Sequence, residues 1–296
     1  MNRGFVKTDA GLAADSRSPG VFVELQLASS SALCAISASA IELPTTIHLC
    51  DINPMTISAA TLEKLRRYDT PTICNVIELF DVIPRNRGYM DGRIRANFPE
   101  LPPMVGFACT GAFRSDAAPA GGDAYGSLDQ QMAMFADLPG PAVVVFQDLD
   151  DPAVAATFGE VMCSSYQAFG SVGLITSGAG RDLDQVRALK YPVFTGGTIC
   201  AHAYCHLLHL GLPVRVGGMM VSQGDLLHGD ANGVTSIPTK IASAVAEITD
   251  AFIDAEKIVM DYVKAPGQKS VTEYASRRKE FAAQVAKLTK QAQGMK

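Results

Sequence analysis

Tryptophan is absent from the 296 residues, and so is any CxxC pair among the cysteines at 34, 50, 74, 109, 163, 200 and 205. An odd count at irregular spacing argues against a disulfide framework and matches no zinc pattern. A reducing cytoplasm is the expected location. No apolar run reaches the length of a membrane helix, so no membrane contact is expected. The small-apolar stretch LASSSALCAISASAI begins too late for a signal peptide and follows Asp9, Asp15 and Glu24. There is no basic excess either: the formal net charge is −5, which gives nucleic acid no electrostatic foothold.

What is there is ordinary for a folded protein, with 48% apolar and 19% charged residues. Residues 1–54 stand apart, rich in Ser, Ala and Gly without amphipathic periodicity, and read as a poorly ordered or accessory extension. The organised part, 55–264, opens with a helix through about Tyr68, capped by Thr56 or Ser58. Pro71 interrupts it, and a second helix is expected from Thr72 to Phe80. MVGFACTGAFRS (104–115) reads as a strand and 124–138 as a helix with Leu128, Met132 and Phe135 on one face.

Strands are then expected at 141–148 and 171–178, with a helix at 159–169 ending on Gly170, and 192–197, 213–221 and 224–238 follow as short strands with turns. A long helix covers 239–264, and after APG a second runs from 271 to about 291 within the 265–296 extension, with Phe281, Val285 and Leu288 on one packing stripe.

The stretch GEVMCSSYQAFGSVGLITSGAGRD (159–182) carries the functional argument. Strand 141–148, helix 159–169 and strand 171–178 form a βαβ unit, whose strands run parallel. Ligands of open α/β sheets bind outside the carboxyl ends of such strands. That topology brings Glu160 to Arg181 and Asp182. Gly159 admits close backbone approach, and the amides of Glu160, Val161 and Met162 precede the first intrahelical acceptor. Free amides suit an anion, Arg181 adds a planar fork for it, and Asp182 adds a hard oxygen ligand for Mg²⁺. The competing reading is a structural Arg–Asp pair closing a turn.

These residues resemble the RraA-like family, which includes the 4-hydroxy-4-methyl-2-oxoglutarate aldolases and the regulator of ribonuclease E activity A. The family's GELxxxxAxxxGxxGxVxxGxxRD appears as the stretch just quoted, and its later pattern as PVFTGG…PVRVGGMMVSQGDLLHGDANGVTSIP. DTPTICNVIE is similar to its N-terminal helix, and the likeness spans about 58–262.

The resemblance implies an α/β, swivelling β/β/α-type sandwich with C-terminal helices, assembled as a homotrimer or hexamer with the site between subunits. It implies a metal-dependent aldolase that releases pyruvate and decarboxylates oxaloacetate, using Mg²⁺ or Mn²⁺ and a small 2-oxo acid substrate. Asp182 would hold the metal, Arg181 the developing enolate, and Glu160, in place of the Asp of the best-known aldolases, a water for proton transfer. The amides of Val161 and Met162 would hold the substrate carboxylate. An acidic residue of a neighbouring subunit's C-terminal helix would join the metal site; Glu256 is the nearest match, with Asp254 or Asp261 as alternatives. The same resemblance admits two other readings, a non-enzymatic regulator acting by protein contact and an enzyme for another 2-oxo acid.

Other residues read more plainly. His202 and His206 would share a face if CAHAYCHLLH were helical, but with His209 they form no HExxH, and a zinc site is not expected. Asp225 and Asp230 read as turn-stabilising and His228 as structural. Arg85, Arg87, Arg93 and Arg95 read as a solvated basic loop, with attraction of an anionic substrate as the functional reading, and Asp123 as a group near the pocket.

Overall fold

The computed structural model describes residues 57–121 and 126–296. The expectations for 1–54, and for Asp123, lie outside the described residues. Helices α1 (Ala59–Leu65) and α2 (Thr70–Phe80) come first. Ser58 caps α1 by accepting the Thr61 amide, and Asp69 caps α2 by accepting that of Thr72. Helix α2 thus starts two residues before the expected Thr72, because Pro71 sits in its first turn, where no amide is needed.

There follow β1 (Arg95–Ala96), β2 (Met104–Arg114), α3 (Leu128–Ala133), β3 (Ala142–Asp148), β4 (Ala156–Phe158) and α4 (Glu160–Ala168). Next come β5 (Ser171–Thr176), β6 (Ala179–Gly180), α5 (Leu183–Ala188), β7 (Val193–Thr195), β8 (Gly197–Thr198) and β9 (His206–Leu210). The chain ends with β10 (Val214–Val216), β11 (Met219–Val221), β12 (Leu226–Asp230), β13 (Gly233–Ile237), α6 (Ala242–Lys264) and α7 (Val271–Gln293).

The main sheet runs β1-β7-β5-β3-β2-β12-β13, with β9 paired to the far end of β2. Strands β2, β3, β5 and β7 are parallel neighbours. Residues 88–97 join the two edges, so the sheet curls almost closed. At one edge the Met90 amide donates to Val234 O and Ser236 N to Gly88 O; at the other β1 pairs with β7.

Alternation along β3 divides the core. Val143 and Val145 face the inside of the curl with Ile175, Phe194 and the β10–β11 hairpin. Val144 and Phe146 face α4 and α5 with Cys163 and Tyr166. Burial on both faces is why β3 reads as an unbroken apolar run. A third cluster packs α1, α2 and α6 on Val105, Phe107 and Leu226. Helix α7 lies on α6, with Phe281 edge-on to Phe252, and Ala292 is buried.

The structure corrects several expected elements. The helix expected over 124–138 is shorter, starting after left-handed Ser127 and tightening to a 3-10 turn at Met134–Asp137. Residues 213–221 are short strands about a turn, as expected, paired as a hairpin in which Gly217 and Gly218 take positive φ and reverse the chain. CAHAYCHLLH is not helical: His206 and His209 lie on β9, and His202 precedes it. Strand 171–178 ends at Thr176, and its continuation, β6, belongs to a second sheet.

Candidate active site

The second sheet positions the chemistry. Strands β4, β6 and β8 run parallel; β6 and β8 closely follow the ends of main-sheet strands β5 and β7, while β4 is reached from β3 through residues 149–155. The βαβ expectation holds for β3, α4 and β5, but the residues of interest leave the ends of β4 and β6, one sheet further on. Phe158 O accepts the Arg181 amide at 3.1 Å, holding the two exits side by side.

Helix α4 begins where β4 ends. Its first intrahelical bond runs from Cys163 N to Gly159 O, leaving the amides of Glu160, Val161 and Met162 ahead of it. The Glu160 amide donates to Asp182 Oδ2 at 3.1 Å, and Arg181 Nε lies 3.9 Å from the same oxygen. The Val161 and Met162 amides remain for an anion. Glu160 is exposed, Val161 is 80% exposed and Met162 is buried. Glu160, Arg181 and Asp182 therefore meet at the amino end of α4, as the spacing predicts.

Asp182 is unusual in backbone as well. Its φ of 53° and ψ of 41° are left-handed, tolerated better by Asp than by most residues. Its carbonyl accepts Val186 N to start α5, yet its carboxylate caps α4 rather than α5. The side chains of Arg181 and Asp182 are about a third exposed (31% and 39%), so the site is shallow.

Two clefts flank the carboxyl edge of the main sheet. One of about 770 Å³ is lined by Arg93, Arg95, Asn97, Ser177, Thr195 and Thr198, among others. The other, about 380 Å³, includes Gln147, Asp148, Asp150, Arg93 and Arg215. Neither includes Glu160, Arg181 or Asp182. Position at the helix terminus, rather than cavity size, marks the candidate site.

The remaining residues fall into place. Asp225 accepts Ser222 N at 2.8 Å within its turn. Asp230 accepts Asn232 N at 2.8 Å and Thr70 N at 2.9 Å, tying the start of α2 to β12. His228 is fully buried between Leu65 O (Nε2, 3.1 Å) and the Thr70 hydroxyl (Nδ1, 2.9 Å). A carbonyl only accepts, so Nε2 carries the proton. Burial pushes the His228 pKa down.

The expected basic loop is half neutralised, with Arg85 and Arg93 of its four arginines in ion pairs. Arg93 chelates Asp91 and Arg85 pairs with Glu78. Glu256 lines two grooves among α2, α6 and α7 that include neither Arg181 nor Asp182, and its pKa is raised, mainly by burial. Among the described residues no group of three or more His, Cys, Asp or Glu could hold a metal by itself, and the five described cysteines are free. No helix among the described residues is long and apolar enough to cross a membrane.

One residue went unnoticed in the sequence. Asp148 closes β3 with Oδ2 buried and without a hydrogen-bond partner among the described residues. Its signal is a carboxylate ending a β-branched run, one residue short of the Asp150–Asp151 pair.

A family profile described as RraA-like, aldolase/RraA, matches residues 70–235, more than half of the chain. The chain belongs to the RraA-like family. A protein of Halalkalibacterium halodurans named "Putative 4-hydroxy-4-methyl-2-oxoglutarate aldolase" is 34% identical over 107 residues, 36% of this RraA-like chain and 50% of that protein. The chain spans about half the length of the curated relatives it matches.

Solved structures agree on the fold. RraAS2 of Streptomyces coelicolor, described as an unusual member of the RNase ES inhibitor RraA protein family, superposes with TM-score 0.56 at 21% identity, over 71% of this chain and 98% of that one. A chain described as one of the novel cellulases from gut-associated microbes superposes with TM-score 0.59 at 22% identity, over 68% and 87%. At such identities the likeness speaks to fold alone, and function has to be argued from the site.

Proposed function

We propose that this RraA-like protein is a divalent-metal-dependent pyruvate lyase. It would cleave 4-hydroxy-4-methyl-2-oxoglutarate-type substrates and decarboxylate oxaloacetate. One observation carries the reading: an arginine and a carboxylate meet at the amino end of a helix that still has two amides to offer.

The donor set fits Mg²⁺ or Mn²⁺. Asp182 Oδ2 accepts one hydrogen bond, from the Glu160 amide, so Oδ1 and the second lone pair of Oδ2 remain to hold the ion. Mg²⁺ is commonly bound through one or two carboxylates, with water and substrate oxygens completing the shell. When bound, the ion supplies Lewis-acid polarisation of the 2-oxo oxygen.

The chain's own groups do the rest. The Val161 and Met162 amides anchor the substrate's 1-carboxylate. This places the 2-oxo oxygen toward Arg181, whose guanidinium stabilises charge only as it develops. In the retro-aldol reaction the 4-hydroxyl loses its proton and the C3–C4 bond breaks. Its electron pair becomes the enolate of one pyruvate, while C4 becomes the ketone of a second. A water held by Glu160 accepts and returns the proton. In oxaloacetate the C3–C4 bond releases CO₂ and leaves the same enolate. The exposure of Arg181 and Asp182 favours completion of the site by a second subunit, as in a trimer or hexamer, since such chemistry works best with water excluded.

The test is pyruvate release from each substrate with Mg²⁺ or Mn²⁺, and again with EDTA. Release above the metal-only background that EDTA abolishes is expected. No release from either substrate would overturn the reading. Binding-protein function, favoured by the RNase inhibitor family named for RraAS2, would then be tested first.

A further inference from the structure

We propose that Gly159 is the positioning residue of this site, and that the space left by its missing side chain seats the Asp182 carboxylate. The proposal rests on the reading of Arg181 and Asp182 as the active site, and goes on to say what fixes their geometry.

Gly159 is not there for its backbone. Its φ of −148° and ψ of −167° are extended values open to any residue. What excludes a side chain is space. A Cβ at 159 would stand 2.4 Å from Asp182 Oδ2, 3.1 Å from Arg181 Nε and 3.2 Å from Arg181 Cγ. The first of these is closer than any real Cβ contact, and the atom it meets belongs to a short side chain on a left-handed backbone.

The vacancy has a defined tenant. Asp182 turns away from its own helix, α5, crosses to α4 and caps the Glu160 amide. Its backbone begins one helix while its side chain caps another, so it ties α4 and α5 together at the site. Two consequences follow. The cap consumes the first free amide of α4, leaving Val161 and Met162 as the pair that faces an anion. It also fixes the orientation of the carboxylate, and with it the direction in which its remaining lone pairs face a cation. Gly159 thereby sets the spacing between cation and anion. Any side chain there would displace the carboxylate, break the cap and release a third amide.

The experiment is a double-mutant cycle with a metal-binding readout. Gly159→Ala, Asp182→Ala and the double variant are melted by circular dichroism, and the Kd for Mn²⁺ alone is measured by EPR of the free ion. In the wild-type background Gly159→Ala is expected to lower Tm by about 4–8 °C, an overpacking effect. In the Asp182→Ala background it should lower Tm by less than about a third of that, because the clashing atom is gone. Mn²⁺ affinity should fall at least about tenfold in Gly159→Ala, the usual effect of losing a supporting contact.

Equal Tm losses in both backgrounds would overturn the proposal, as would equal Mn²⁺ affinity in wild type and Gly159→Ala. If Gly159→Ala does not fold, a folded double variant supports the proposal and an unfolded one overturns it. Wild-type protein that binds no Mn²⁺ would refute the metal reading of the previous subsection, and the stability cycle would still decide the role of Gly159.

Discussion

Asp148→Asn should stabilise this protein at neutral pH and do little in acid. Asp148 Oδ1 accepts the Asp150 amide at 2.9 Å, while Oδ2 is buried with no partner among the described residues. Burial is the main cause of a pKa raised from 3.8 to about 6, with the charges of Asp150 and Asp151 adding to it and the Asp150 amide opposing. In the unfolded chain the group ionises near its ordinary value. Between about pH 4 and pH 6 the folded state therefore holds the extra proton, and stability falls as pH rises through that window. Two pKa units correspond to about 3 kcal/mol, and solvent screening of a half-buried group reduces the expectation to about 1–1.5 kcal/mol. Asparagine keeps the shape and removes the charge. A gain of about 3–5 °C in Tm is expected at pH 7.5, shrinking toward zero near pH 4. Melting curves by circular dichroism across that range provide the test. A gain that is equal at both ends, or a loss at pH 7.5, would refute the assignment of the cost to a buried, unpaired carboxylate.

Other perturbations have equally definite outcomes. Arg181→Ala and Asp182→Ala should each lower pyruvate release from oxaloacetate by about a hundredfold or more, measured by a coupled assay on protein with native-like circular dichroism. Asp182→Asn retains a cap acceptor for the Glu160 amide but not the charge, so it should keep a near-wild-type Tm while losing Mn²⁺ binding. His228, buried neutral with a lowered pKa, gives the opposite pH dependence to Asp148. Its unfolded form takes up a proton first, so stability is lost as pH falls below about 6.5. His228→Gln should flatten that acid limb in melts between pH 7 and pH 5. Phe252→Ala removes a ring packed between α6 and α7, and urea titration should report a loss of about 3–4 kcal/mol.

Much of the fold was legible because its signals are local. The β-branched run of β3 and the capping residues Ser58 and Asp69 act over a few residues. Their physical causes, side-chain alternation and orphan amides, leave a mark in the sequence. The fold family followed from the motif at 159–182 with the later glycine-rich pattern. Where expectation failed, a long-range partner or a reversed backbone overrode local preference. Strand 171–178 stops at Thr176 because the residues after it pair with β4 and β8 in a second sheet. The helix expected over 124–138 starts only after Ser127, whose backbone is left-handed.

The candidate site divides in the same way. The sequence by itself determined that Glu160, Arg181 and Asp182 would converge, because a βαβ connection brings residues 21 apart to neighbouring strand ends. It also determined which amides would lack an intrahelical partner, since a helix always leaves its first ones without one; that the Glu160 amide finds Asp182 instead was decided by the tertiary structure. Only the tertiary structure decided that the exits belong to a second small sheet, and that Asp182 caps α4 instead of α5. It alone decided that Gly159 is small because another side chain occupies its space. Those outcomes depend on separations of 2–4 Å between atoms of different elements. Such separations are fixed by how β4, β6, α4 and α5 pack, which no stretch of sequence read alone can specify.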